Sequence, residues 1–120
     1  MTLLEACLTF CLLLQECGNN PTENRAIAST LIIRADQNQS TVLAELQKPY
    51  QYPIKYSNVL KRASELRFKD YLVKVWAIGR AVRNPLNFTH YHALYVKPDW
   101  SKHGRIIGKH KFVYLNKGVS

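Results

Sequence analysis

Acidic residues are scarce in this chain. Eight Asp and Glu stand against 17 Lys and Arg among 120 residues, for a net charge of +9. That balance favours a polyanionic partner, whether nucleic acid, an anionic membrane or an acidic envelope polymer, and does not choose among them. Cysteine is also sparse. Three thiols cannot all pair within one chain; Cys7 and Cys11 sit one helical turn apart, and reduced, buried thiols are expected. Long apolar runs are missing. Residues 3 to 14 hold ten apolar side chains, interrupted by Glu5 and Thr9, which falls short of the roughly 20 residues a spanning helix needs. No Lys or Arg precedes that run, so it lacks the basic start of a signal peptide, and synthesis in the cytoplasm without export signal is expected. There is no Walker loop, GxGxxG, GxSxG or CxxC motif.

What is present suits one globular domain over residues 1–120. Hydrophobic residues make up 47% and charged residues 21%, a balance that can support a core. Residues 2–17 read as a first helix, apolar on most sides and therefore central, with Gly18 as a left-handed cap. Asn20, Pro21 and Glu23 give an N-cap, a first-turn proline and a capping-box acid for a second helix to about Asp36. "STVLAELQ" is a short helix and "KPYQYPIKY" an aromatic loop. Ser57 and Asp70 are the expected caps of helices over 58–67 and 71–83, and Asn84-Pro85 stops the last one. "NFTHYHALYV" and "RIIGKHKFVYL" read as two strands of a long-looped β-hairpin. The expected class is α+β, mostly helical with a small C-terminal antiparallel sheet.

Several groups in this layout can carry chemistry. Glu5, Thr9 and Glu16 fall within about 40° of one another on a helical projection, so they form either a solvated stripe or a placed set. A carboxylate in the last turn faces the negative end of the helix dipole, and apolar neighbours disfavour its charge; both effects suit a general acid. His90 and His92 point to one face of a strand. With His110 they would make a three-imidazole zinc set, the ligand pattern of an amidase; the bland alternative is hydrogen-bonding sheet histidines. Tyr50, Tyr52, Tyr56, Tyr91, Tyr95 and Trp100 can stack on sugars or bases, or simply pack. With the basic hairpin they also fit a non-catalytic nucleic-acid-binding module.

Four stretches, "QECGNNPTENRAIASTLIIRA", "TVLAELQKPYQYP", "THYHALYVKPDW" and "IIGKHKF", in this order, resemble the SleB/CwlJ type of cell wall hydrolase over about residues 8 to 115. The resemblance implies a lysozyme-like fold and cleavage of peptidoglycan glycan strands, as a lytic transglycosylase or muramidase, with Glu16 as catalytic acid. Gln51, Tyr52, Tyr91, His92 and Trp100 become the candidates for holding Glu16 or lining the sugar cleft. No metal or cofactor is implied. Peptidoglycan is the expected partner, nucleic acid is not, and a monomer is expected. A phage lysin, released through a holin or carried in the virion, is the setting that fits. The chain departs from the family at one place: Cys17, Gly18, Asn19 and Asn20 stand where the family has Ala-Arg-Gly-Glu, so an arginine and a second carboxylate are replaced.

Overall fold

A computed structural model describes residues 1–48 and 52–116. Five helices precede three short strands: α1 (Leu3–Glu16), α2 (Pro21–Gln37), α3 (Val42–Leu46), α4 (Tyr56–Ser64), α5 (Phe68–Arg83), β1 (His90–Ala93), β2 (Arg105–Ile107) and β3 (His110–Val113). The class is α+β, as expected. No helix among the described residues is long and apolar enough to cross a membrane.

The helix starts follow side-chain chemistry, with corrections. Asn20 caps α2, accepting from the Glu23 amide, and Pro21 opens the helix. The Glu23 carboxylate does not return to the cap; it is used elsewhere, as described below. Thr2 and Glu5 form a reciprocal capping box on α1. Ser57 and Asp70 are not N-caps: Ser57 lies inside α4, and Asp70 is the third residue of α5, accepting from the Arg67 amide at 3.2 Å. Gly18 is not a left-handed cap either. Cys17 ends α1 in an extended conformation, with its amide on the Leu13 carbonyl.

The expected central helix is the wrong one. Helix α1 exposes Leu3 and Leu4, while Glu5 and Thr9 are buried. The polar stripe therefore faces inward. Thr9 donates to the Glu5 carbonyl, and the Glu5 carboxylate accepts from the Leu43 amide at 2.8 Å, tying α1 to the start of α3. Those donors hold the Glu5 carboxyl below its usual range, the Thr2 amide first. The central helix is α2, buried from Glu23 to Ala35 on nearly every side. Its Ala26, Ala28, Ser29 and Thr30 are small, so α5 approaches with Ala77 and Ala81 buried, and this pair makes the most extensive helix contact in the fold. Leu12, Leu13, Ile27, Leu31 and Phe112 fill the core between α1, α2 and the sheet. Of the thiols, only Cys17 is buried; Cys7 is exposed, because α1 turns an apolar face outward.

The two-stranded hairpin is instead a three-stranded antiparallel sheet of order β1-β3-β2. Gly108, at φ +61°, breaks the second expected strand into β2 and β3. A side chain there would be strained by the backbone and would overlap the Glu23 carboxylate. That carboxylate accepts from the Lys109 amide at 2.6 Å, so the turn is closed onto the first turn of α2. Gly108→Ala is expected to cost about 2 kcal/mol or more, read as a lower midpoint in urea unfolding.

Candidate functional site

The residue that seats Glu16 is its neighbour Gln15. Gln15 Nε2 donates to Glu16 Oε1 at 3.2 Å and to the Pro53 carbonyl at 2.5 Å, while its Oε1 accepts from the Lys55 amide at 2.6 Å. Both ends of one amide side chain thus clamp the end of α1 to the segment that leads into α4. Glu16 is half-buried. It lies close enough to Tyr91 that its charge, after desolvation, raises the phenol's pKa. The Tyr91 ring packs 6.3 Å from Tyr52, 5.8 Å from Phe112 and edge-on to His110 at 5.4 Å. Tyr52 itself is buried. Its hydroxyl donates to Thr30 Oγ1 at 3.0 Å, because the Thr30 hydroxyl proton is committed to the Ile27 carbonyl, and Arg34 stands over its ring at 5.7 Å. Arg34 in turn pairs with Glu45, which has no exposed surface. Burial raises the Glu45 pKa, but donation from Lys48, Ser40 and Asn38 outweighs it and leaves the group below the usual carboxylate range.

The "CGNN" turn after Glu16 is held from α5. Lys74 Nζ donates to the carbonyls of Leu13 and Gly18 and to Asn24 Oδ1, at 3.3, 3.2 and 2.9 Å. Asn24 Nδ2 closes the loop on the Gly18 and Asn20 carbonyls. Burial lowers the Lys74 pKa against the opposing pull of Cys17 and Asp70. The same burial pushes the Cys17 thiol up, against the nearby ammonium, which suits an inert thiol. Two recesses flank the end of α1. One of about 320 Å³ is lined by Gln15, Asn58, Lys61, Arg62 and Glu65. Another of about 220 Å³ reaches Cys17, Asn19, Asp70 and Lys74 and shares Arg62 and Glu65 with the first. Gln15 lines the first recess, which is walled by Lys61 and Arg62 at the basic end of α4, and Leu14 and Cys17 line the second, so Glu16 is flanked along the chain by residues of both.

The remaining candidates separate. The strand register pairs Tyr91 with Phe112 and Ala93 with His110, so Tyr91 and His110 share the inner face, while His90 and His92 point to the outer one. The three imidazoles do not converge, and no group of three or more metal-ligating side chains exists among the described residues. Trp100 folds over the outer face, 5.2 Å from His90 and 5.5 Å from His92. His92 has both ring nitrogens engaged. Nδ1 faces the Ala93 carbonyl at 2.7 Å and must carry the proton, so Nε2 accepts from the Ser101 hydroxyl at 2.6 Å. Beside Trp100 lies an open groove of about 630 Å³, lined also by Lys102, His103 and Tyr114. Gln51 and Tyr50 lie outside the described residues.

Two residues of this region, Gln15 and Lys74, escape the sequence reading, and a third, Glu23, has a role there other than the one it plays. Glu23, 4% exposed, fits the pattern of a capping acid. It is instead a buried carboxylate that accepts from the Lys109 amide and stands 3.5 Å from His110 Nδ1. Nothing in a local pattern marks a lysine on a later helix as the partner of an earlier turn. No protein-family model, no curated protein and no solved structure matches the chain.

Two measurements probe this geometry. Lys74→Met leaves Asn24 Oδ1 without its donor; the expected loss is about 2 kcal/mol, with faster amide exchange at Gly18–Asn20. His90 is also informative. Burial, then the Arg34 charge, lowers its pKa from 6.5 to about 4. Protonation is therefore easier in the unfolded chain. The folded state loses stability as pH falls from about 6.5 towards 4. An NMR titration should place the His90 midpoint in the low range, and His90→Phe should flatten that part of the stability–pH curve.

Proposed function

We propose that this protein cleaves peptidoglycan glycan strands at MurNAc-GlcNAc bonds, as a lytic transglycosylase of the SleB/CwlJ resemblance, with Glu16 as the acid. The observation that carries the reading is the clamping of a half-buried carboxylate at the end of α1: Gln15 fixes Glu16 at 3.2 Å and is itself fixed at both ends. A general acid must be held in one geometry against the bond it protonates. Lys61 and Arg62, lining the recess beside Gln15, supply positive charge for the carboxylates of a wall polymer.

The proposed chemistry needs one carboxyl group. Glu16 gives its proton to the glycosidic oxygen as that bond to the MurNAc anomeric carbon breaks. The 2-acetamido group of the substrate stabilises the cationic carbon. The Glu16 carboxylate then takes the proton of the MurNAc 6-hydroxyl while that oxygen bonds to the anomeric carbon, closing an anhydro ring. No water enters the product. Glycosidases that use two carboxylates hold the second at a set distance from the first. Here the nearby Glu23 is committed to the Lys109 amide and the β2–β3 turn, which favours the single-acid route.

A zymogram on purified peptidoglycan is the first test, and it separates both enzyme readings from a binding module. Products lighter by one water than their hydrolytic counterparts are expected, with anhydro-muramyl ends; reducing ends alone would indicate a muramidase. Glu16→Gln should lower lysis by about a thousandfold with an unchanged thermal midpoint. Retained lysis would overturn the assignment.

A further inference from the structure

Helix α5 is turned inside out. Its buried positions are Asp70, Lys74, Ala77 and Ala81. Its outward positions carry the large apolar side chains: Phe68 is 76% exposed, Leu72 53%, Val75 60% and Trp76 46%. Val82 continues the stripe one and a half turns on. These positions recur at helical spacing and form one face. A single exposed apolar side chain is ordinary; a contiguous stripe on a helix marks an interaction surface.

The face widens onto α1. Phe10 stacks on Tyr71 with ring centroids 5.4 Å apart, and Met1 meets Val82 across a shared recess. The two helices therefore run antiparallel, side by side. Leu3 and Leu4, 82% and 57% exposed, extend the apolar area at the Val82 end. The exposed charges of α5 beside it have one sign. Lys69, Arg80 and Arg83 of α5 are exposed. The acids of both helices are drawn in: Glu5 and Asp70 are buried, and Glu16 is half-buried and held by Gln15. Asp36, on the α2 side of the Met1 recess, borders the face.

We propose that this α5/α1 face docks on an anionic lipid surface. A second copy of the chain is a poor occupant, since it would set Lys69, Arg80 and Arg83 against a body that itself carries +9. An anionic bilayer satisfies both features at once. Apolar side chains enter the boundary between headgroups and acyl chains, and the basic rim meets the phosphates. Trp76, amphipathic and half-exposed on the stripe, suits that depth. Helix α5, with 16 residues, is about 24 Å long and lies in the plane of the surface. This face does not include Glu16, and the inference does not depend on the proposed activity.

The test uses the full chain in co-sedimentation with vesicles of phosphatidylglycerol and phosphatidylcholine, against phosphatidylcholine alone. Binding to the anionic vesicles is expected to weaken as salt rises. The double variant Leu72→Glu/Val75→Glu should reduce the bound fraction about tenfold. The variant Lys69→Glu/Arg80→Glu should do the same by charge alone, which keeps the test decisive if the first variant fails to fold by circular dichroism. Absence of sedimentation with anionic vesicles overturns the proposal, as does binding that neither variant alters. So does a dimer in light scattering that Leu72→Glu/Val75→Glu abolishes while vesicles are ignored. Lysis of purified sacculi, which have no membrane, should match wild type in both variants, so a failure of docking is distinguishable from a failure of the Glu16 reading.

Discussion

The position of Glu16 depends on a buried ammonium group. Lys74 reaches from α5 to the end of α1, where unpaired carbonyls of a helix terminus would otherwise face the interior. It donates to Leu13 and Gly18 and to the Asn24 amide oxygen. One side chain thus ends α1, shapes the turn into α2 and locks α5 against both. A buried lysine costs a great deal unless its protons are all matched; here three acceptors match three protons. The turn it stabilises is the stretch of residues 17–20 that directly follows Glu16. Within it the Gly18 carbonyl accepts from Lys74, and the Asn20 carbonyl accepts from Asn24 Nδ2.

The interior uses polar side chains as joints between helices. Glu5 fastens α1 to α3, Glu45 gathers Arg34, Asn38, Ser40 and Lys48 around the end of α2, and Glu23 closes the β2–β3 turn. Each carboxylate accepts from backbone amides or cations, so its burial is compensated. Glu16 is different in kind. Among the described residues its donor is the neighbouring Gln15.

Local signals were well expressed in the sequence. The helices, the Asn20 cap with Pro21, the loop after α3 and the β-rich end could be read from periodicity and punctuation, because propensity and capping act over a few residues. The layering could not. Ten apolar residues in α1 suggested a central helix, yet the small residues of α2 allow close approach on every side and win that place. The inverted stripe of Glu5 and Thr9 has the same periodicity whether it faces water or protein, so only its partners on α3 decide. In the sheet, Gly108 fell inside the expected second strand, and its effect of splitting that strand in two rests on Glu23, far back in the chain. Glu16 itself was legible as a helix-ending acid; Gln15 and Lys74, which seat it, act through contacts that no spacing rule encodes.

The strand order has a consequence for timing. The middle strand, β3, is the last to be synthesised, so β1 and β2 wait without a hydrogen-bonding partner until residues 110–113 arrive. Tyr91 then gains Phe112 and His110 as packing partners, and Glu23 gains the Lys109 amide. The helices that carry Glu16 can settle on local contacts well before that, since pairing across some twenty residues is the slower event. A growing chain therefore holds Glu16 in place while the sheet beside Tyr91 is still unpaired, and β3 completes both contacts in one step.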